Sequence, residues 1–181
     1  MDNSRTVELD LIRRLQQGSA DAFDALYDKF GDSVWRLCYR MSRNSADAED
    51  LAQEVWFTVW RKVGTFRCES GFRTWLYKIA SNVCLQWIRK THDRATCPME
   101  ESRMGSSVGT ETDVIARDGV GRLLEAMAGL PQTLRLPLVL RVDEELSYAE
   151  IAEVLGCTTA SVKMRIARAR AALARKMEEE K

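Results

Sequence analysis

The stretch from residue 147 to residue 175, SYAEIAEVLGCTTASVKMRIARARAALAR, reads as two helices joined by a tight turn. The S-x-x-E spacing that begins at Ser147 is a capping box and predicts the start of the first helix. Gly156 predicts its end, because glycine readily takes the left-handed backbone that follows a helix. Thr158 or Thr159 can then cap the second helix. This pattern is typical of a helix-turn-helix, whose second helix enters the major groove of DNA.

The second helix of this pair is strongly basic. Residues 160 to 177 include six basic side chains and no acidic one: Lys163, Arg165, Arg168, Arg170, Arg175 and Lys176. A solvated surface helix is the alternative interpretation, but such helices usually mix both signs, so the pattern favours contact with DNA. The acids nearby are expected to balance this charge: Asp143, Glu144, Glu145, Glu150 and Glu153.

The bulk composition is that of an ordinary globular chain, with 45% hydrophobic and 30% charged residues and a formal net charge of zero. The N-terminus is no signal peptide and no apolar run approaches the roughly 18 residues that span a membrane, so we expect a cytoplasmic protein. The five cysteines are scattered and His92 is the only histidine, which fits neither a zinc site nor a disulfide framework. We therefore expect reduced thiols, with Cys38 and Cys84 in the core, and no metal or other cofactor.

The apolar spacing predicts helices throughout and no strand, which indicates an all-α protein. The helices are predicted over residues 6–17, 19–41, 46–62 and 72–90, and then over 114–128 and 131–142 before the helix-turn-helix. Between them, the polar stretch over residues 93–113 has little to bury and reads as a linker. The expected architecture is two small helical domains, 1–92 and 114–181, joined by that linker.

The predicted helix over residues 46–62 has more apolar surface than a single core stripe requires. Trp56, Phe57 and Trp60 lie beyond a stripe that already completes a core face. Polar side chains run along the same helix: Asp47, Asp50, Gln53 and Glu54. A helix that is apolar on more than one side is either deeply buried or faces a partner. We favour a partner.

The predicted helix over residues 72–90 has a polar stripe opposite its apolar one, and no acid occurs from residue 70 to residue 92. The stripe consists of Thr74, Tyr77, Lys78, Ser81, Asn82, Gln86 and Arg89. A solvated face is again the alternative. Tyrosine, amide and basic groups without a carboxylate are nevertheless suited to contact with a nucleic-acid strand.

Together these segments resemble the compact extracytoplasmic-function (ECF) group of bacterial sigma factors. DAEDLAQEVWFTVWR resembles the polymerase-clamp helix, FRTWLYKIASNVCLQWIRK the helix that melts and reads the −10 element, and LPQTLRLPLVLRVDEELSYAEIAEVLG with SVKMRIARARAAL the −35-binding domain. The resemblance covers nearly the whole chain. It implies a protein that is not an enzyme, binds the β′ coiled coil and the β subunit of core RNA polymerase, and directs transcription initiation from promoter DNA. It also implies an anti-sigma factor as a regulator.

The resemblance assigns three groups of residues. Those expected to bind polymerase are Asp47, Asp50, Gln53, Glu54 and Trp60. Those expected to contact the −10 strand are Phe66 and Arg67, in the loop that holds a flipped base, and Lys78, Asn82 and Gln86 on the following helix. Those expected on the −35 recognition helix are Lys163, Met164, Arg165, Ala167, Arg168 and Arg170. No catalytic residue and no metal ligand is implied.

Two positions depart from the family pattern. The loop continues as Cys68-Glu69-Ser70, where the family often has glycine then aspartate, so the resemblance does not give the −10 base preference. Met164 stands where a small hydroxyl residue is common, which predicts an apolar −35 contact.

Two other classes of function fit the sequence less well. A stand-alone helix-turn-helix regulator would leave the acid-free stripe and the surplus aromatic side chains without a role. An enzyme would need a glycine-rich phosphate loop, a metal cluster or a catalytic histidine, and the only histidine opens the polar stretch.

The linker length bears on how the domains are used. Promoter elements separated by two to two and a half turns of DNA lie about 70–85 Å apart, whereas a free coil of about 20 residues spans only about 25 Å. The linker must therefore be stretched along the polymerase, and we expect the free protein to bind promoters weakly.

Overall fold

The computed structural model describes residues 3–95 and 120–179. Within these ranges all the regular secondary structure is helical. The elements are α1 (Asn3–Gln16), α2 (Ala20–Ser42), α3 (Ser45–Lys62), a 3-10 turn (Val63–Thr65), α4 (Phe72–Ala95), α5 (Val120–Ala128), α6 (Gln132–Val142), α7 (Tyr148–Leu155) and α8 (Thr159–Glu179). The all-α expectation is confirmed. Most of the predicted linker, with Cys97, and the predicted helical residues 114–119 lie outside the described residues.

The helix starts follow local capping signals. The Ser19 hydroxyl accepts the backbone N–H of Ala22 at 3.3 Å and caps α2. In front of α3 the predicted cap, Ser45, is wrong by one residue. Asn44 caps the helix instead, since its side-chain oxygen accepts the N–H of Asp47 at 3.1 Å. Asparagine and serine cap helices about equally well, so the sequence alone does not distinguish them.

The far end of α4 extends beyond its predicted end near residue 90. The helix continues to Ala95, three residues into the predicted linker. Residues 91–95, THDRA, contain neither glycine nor proline, so nothing in the backbone opposes another turn. The polar composition that suggested a linker therefore suits the end of a helix as well.

Helices α1 to α4 form the N-terminal domain around a continuous apolar core. Cys38 of α2 and Cys84 of α4 meet inside it as free thiols, with their sulfur atoms 3.9 Å apart and both side chains fully buried. The hydrogen bond between the two thiols and their burial raise the pKa of Cys84 well above its usual value. The prediction that these two cysteines belong to the core is confirmed.

Helices α6 to α8 form the C-terminal domain together with α5. The capping box forms in both directions: the Ser147 hydroxyl accepts the N–H of Glu150 at 3.2 Å, and the Glu150 carboxylate accepts the N–H of Ser147 at 2.8 Å. Gly156 has the left-handed φ of 62° that ends α7, and Thr158 caps α8 by accepting the N–H of Ser161 at 3.2 Å. The predicted helix-turn-helix is confirmed.

The two domains pack directly against each other, α7 against α4 and α6 against α2. Arg135 of α6 is 9% exposed and donates to the carbonyl of Met41 on α2 at 3.4 Å and to that of Leu130 at 2.9 Å. Its burial lowers the pKa of the guanidinium. A basic side chain thus satisfies backbone carbonyls at the junction of the domains.

Candidate partner and nucleic-acid surfaces

An aromatic groove of about 580 Å³ lies between α2 and α3 of the N-terminal domain. It is lined by Phe23, Tyr27, Gly31, Trp35, Glu49, Ala52, Gln53, Trp56, Phe57 and Trp60. The Phe23 ring meets the rings of Trp56 and Trp60 edge-on, with centroids 5.6 and 5.5 Å apart. Gly31 also lines the groove, where a Cβ would make ordinary van der Waals contact with the Tyr27 ring at 3.4 Å.

The groove presents apolar surface that the fold itself does not cover. Phe57 and Trp60 are 56% and 44% exposed, whereas Trp56 is buried beneath them. The indole N–H of Trp56 has no hydrogen-bond partner within the described part of the chain. The surplus aromatic residues of the sequence are therefore divided between the wall of the groove and its open surface.

Acidic side chains lie beside the groove along α3. Asp50, Gln53 and Glu54 are exposed and Asp47 is half-buried in the first turn. Gln53 lines the groove itself, one turn of the helix from Phe57. The structure thus places all five predicted polymerase-binding residues on one helix, with Gln53 and Trp60 lining the groove and Asp50 and Glu54 exposed on the same helix.

The loop between α3 and α4 separates its two predicted DNA contacts. Arg67 is exposed, but Phe66 is 6% exposed and lies in an aromatic cluster with Phe72 and Trp75, at centroid distances of 5.9 and 5.1 Å. The amide of Gln16 fixes the loop by donating to the carbonyls of residues 63 and 66, at 3.0 and 2.8 Å. The loop therefore presents Arg67 and uses Phe66 as its anchor.

Helix α4 exposes Lys78, Asn82 and Gln86 as a line with a spacing of four residues. The wider polar stripe expected from the sequence is only partly a solvent face, since three of its members are buried: Thr74, Tyr77 and Ser81. The three −10 residues predicted on α4 are therefore all exposed.

Helix α8 exposes Lys163, Met164, Ala167, Arg168 and Arg170, while Arg165 is half-buried. Met164 is 48% exposed, which is high for an apolar side chain of its size. The first turn of α8 contains no acid, so the positive end of the helix dipole adds to the basic side chains. All six predicted −35 residues thus lie on the recognition helix, and five of them are at its surface.

The turn after α6 contains residues that sequence reasoning placed wrongly. Asp143 and Glu144 do not face the basic recognition helix. Asp143 accepts a hydrogen bond from Arg40 at 2.8 Å, and Glu144 is 2% exposed and accepts one from the hydroxyl of Tyr77. Their partners lie on α2 and α4 of the other domain. The only signal in the sequence for this contact was that one segment, 143–145, is acidic and another, 70–92, contains no acid.

Burial is the main cause of the pKa shifts of the two residues in this contact, Glu144 and Tyr77. Desolvation raises the pKa of Glu144, although the Tyr77 hydrogen bond and the charges of Arg36 and Arg73 oppose the shift. Burial, together with the neighbouring Glu144, raises the pKa of Tyr77 well above its usual value. The raised pKa keeps the phenol protonated, and therefore a hydrogen-bond donor, at neutral pH.

Comparison with known proteins assigns both domains. The family model described as Sigma-70 region 2 matches residues 26–94, and that described as Sigma-70, region 4 matches residues 121–173. The ECF sigma factor SigW of Bacillus subtilis is 32% identical over 176 residues, which cover 92% of this chain and 94% of that protein. The chain belongs to the ECF family of RNA polymerase sigma factors. The resemblance inferred from the sequence is thereby confirmed.

Further relatives and solved structures agree with this assignment. The ECF sigma-E factor of Haemophilus influenzae is 32% identical over 179 residues, covering 93% of this sigma factor and 94% of that one. The fold is shared with CnrH in complex with the cytosolic domain of CnrY, at a TM-score of 0.73, 23% identity and coverage of 94% and 97% of the two chains. It is also shared with RpoE bound to the anti-sigma factor NepR from Bartonella quintana, at a TM-score of 0.68, 21% identity and coverage of 88% and 98%.

Membership defines the activity of this sigma factor. It binds core RNA polymerase and directs promoter-specific transcription initiation. The region 2 match covers most of α2, all of α3 and nearly all of α4, and the region 4 match covers α7 and most of α8. Among the described helices, none has the length and hydropathy that a membrane crossing needs.

Proposed function

We propose that the aromatic groove and acidic edge of α3 form the polymerase-binding surface of this sigma factor, and that α4 and α8 read the −10 and −35 elements. The observation that carries this proposal is the spatial separation of the three surfaces. A groove with exposed aromatic residues lies on one side of the N-terminal domain, and two acid-free faces, Lys78 to Gln86 and Lys163 to Arg170, lie on two other helices. The corresponding division is 1–92 for polymerase and −10 contacts and 114–181 for −35 contacts.

The groove suits a helical partner with basic and apolar side chains. Exposed aromatic side chains supply most of the binding energy in many interfaces, and three of the aromatic residues that line this groove are exposed: Tyr27, Phe57 and Trp60. The carboxylates of Asp50 and Glu54 lie beside them and favour a partner with positive charge. The β′ coiled coil of core polymerase is the partner we assign to this surface, with the β subunit contacted elsewhere.

The −10 strand is assigned to α4 and the loop before it. Lys78 can contact phosphate, and the amides of Asn82 and Gln86 can contact base edges or the backbone. We assign Arg67 to direct contact with the strand and Phe66 to holding the loop from below. Extruding a base costs a few kcal/mol, which such contacts can offset.

The −35 element is assigned to the exposed face of α8. Lys163, Arg165 and Arg168 are the candidates for base edges or phosphates, and Arg170 lies half a turn beyond Arg168 on the same helix. Met164 and Ala167 supply the apolar contacts, for which the methyl group of thymine is the fitting counterpart.

We also propose how this sigma factor is regulated and where it is located. We assign an anti-sigma factor to this chain, as in the solved complex of RpoE with NepR, because an inhibitor that covers the groove or the two DNA faces blocks initiation. The protein performs no reaction of its own and needs no cofactor, since the polymerase supplies the chemistry. We place it in the cytoplasm, where the polymerase and the chromosome are.

Run-off transcription with core polymerase and a randomised promoter library tests the proposal. We expect transcripts only when this sigma factor is present, from templates that share two elements at a fixed spacing. Co-elution with core polymerase on gel filtration provides the matching binding measurement. Tight, sequence-specific binding to a promoter without polymerase, and no transcription with it, would instead indicate a stand-alone regulator.

A further inference from the structure

We propose that Asp143 and Glu144 form an intramolecular latch that holds the two domains of this sigma factor together and covers one end of its −10-reading helix. The proposal rests on the assignment of α4 to the −10 strand. The latch is defined by these two acidic residues and by their partners on the N-terminal domain: Arg40, Arg73 and Tyr77.

The contacts of the latch are polar and cross the domain boundary. The Tyr77 hydroxyl donates to one oxygen of the Glu144 carboxylate, and the Arg73 guanidinium lies 4.0 Å from that oxygen and donates to the Glu144 backbone carbonyl. A few ångströms away, Arg40 and Asp143 form an ion pair at 2.8 Å in which both side chains are largely covered. Every donor belongs to α2 or α4, and every acceptor belongs to the turn after α6.

A contact of this kind can open. The second oxygen of the Glu144 carboxylate has no hydrogen-bond partner among the described residues, although the side chain is 2% exposed. The cost of removing a carboxylate from water is then only partly offset by its partners. Polar contacts between domains of one chain are typical of interfaces that separate during function. The latch is therefore specific in geometry and weak in net free energy.

The latch occupies groups that a promoter strand would use. Arg73 and Tyr77 lie one helical turn apart on α4, and Tyr77 directly precedes Lys78, the first of the exposed −10 residues. An arginine and a tyrosine hydroxyl that hold a carboxylate are equally suited to hold a phosphate. The Glu144 carboxylate thus lies where a strand phosphate can replace it.

The closed arrangement also prevents simultaneous reading of both elements. With α7 packed against α4, the −10 and −35 surfaces belong to one compact body, whereas the two promoter elements lie about 70–85 Å apart on DNA. Binding to polymerase must separate the domains before both elements can be engaged. The latch consequently restricts promoter binding to the polymerase-bound state.

Charge reversal in the full-length chain tests the latch. Asp143→Lys and Arg40→Glu each place like charges together, and the double variant restores an opposite pair. We expect each single variant to raise the radius of gyration in small-angle X-ray scattering by several ångströms above the roughly 16 Å of a compact chain of this length. Each should also raise the affinity of the free protein for a single-stranded −10 oligonucleotide by about threefold or more. The double variant should return both values toward those of the wild type.

Glu145→Lys is the matched control, because residue 145 is in the same turn, is exposed and undergoes the same charge change. It should leave the radius of gyration unchanged. Any gain in its affinity for the oligonucleotide measures the nonspecific effect of the added positive charge. Single variants that match this control in both measurements overturn the latch, as does a double variant that is no closer to the wild type than the single ones. Run-off transcription by the wild type separates the two proposals. If the wild type directs no transcription, the proposed function is refuted. If it does, but the single variants have the same radius of gyration as the wild type, the latch alone is refuted.

Discussion

Trp60 tests the proposed polymerase-binding surface at the scale of a single side chain. It is 44% exposed at the groove and meets Phe23 edge-on. Truncation of such an aromatic anchor typically costs about 2 kcal/mol or more of binding free energy. We expect Trp60→Ala to weaken binding to core polymerase about thirtyfold, as measured by competition with labelled wild type.

Val7→Ala provides the control for that prediction, because Val7 is 54% exposed and lies on α1, away from the groove lining. It should leave polymerase affinity within about twofold of the wild type. Binding of a −35 duplex should be the same in both variants. Equal affinities for Trp60→Ala and the wild type would remove Trp60 from the polymerase surface.

Arg168 tests the recognition helix. It is exposed on α8, one turn beyond Met164. If its guanidinium reads a base, Arg168→Ala should weaken binding to the −35 duplex by about 1–3 kcal/mol and relax the preference at one base pair. Arg175→Ala removes the same charge from the same helix outside the predicted contacts, so it should have a smaller effect on all sequences alike. Fluorescence anisotropy with a panel of single-base variants distinguishes the two patterns.

Glu144 gives stability a pH dependence of known sign. Its pKa is raised by burial, so the folded state binds its proton more tightly than the unfolded state. Between the ordinary and the raised pKa, the free energy of unfolding must then fall as pH rises and recover as pH falls. Glu144→Gln stays neutral at every pH and lacks this contribution.

The test compares urea denaturation of wild type and Glu144→Gln from pH 8 to pH 5. We expect the stability of the wild type relative to the variant to be higher at pH 5 than at pH 8. The difference between the two proteins cancels the titration of the remaining groups to first order. A difference that is independent of pH, or that improves toward pH 8, would contradict the assignment of a raised pKa.

At the scale of elements, the helix-turn-helix was predicted nearly residue by residue because its signals are local. The capping box determines where α7 begins and Gly156 determines where it ends, and the helix between them is only eight residues long. Residues 91–95 show the opposite case. Their composition suits a helix end as well as a linker, and only the neighbouring turns of α4 decide between them. Local chemistry predicts elements well where one conformation has a clear advantage.

Gly156 tests the turn directly. A Cβ there would meet no atom within 4 Å, so the cost of Gly156→Ala comes from the left-handed φ of 62° alone. We expect about 1 kcal/mol less stability in chemical denaturation. Gly64→Ala is the matched control, because that position is equally open and its φ is not positive. A loss of equal size in both variants would show that the backbone conformation of the turn is not what requires glycine.

At the scale of the whole molecule, the sequence did not predict how the two domains pack against each other. Tyr77 was assigned to a nucleic-acid face because it shares a stripe with Lys78, yet the structure buries it under Glu144. These two residues are 67 positions apart and belong to different domains. No periodicity or capping signal reports such a contact. The separate acidic and acid-free segments gave only a general charge complementarity.

The packing of the two domains has its largest consequence for binding to DNA that contains both the −10 and the −35 element. In the closed chain the domains cannot reach elements about 70–85 Å apart, so the second element adds no avidity. We expect the free protein to bind a duplex with both elements no more than about twofold more tightly than one with the −35 element alone. With core polymerase, the second element should raise affinity strongly, and inserting about five base pairs, half a helical turn, should remove the gain. A tenfold preference of the free protein for the two-element duplex would show that the domains separate without polymerase.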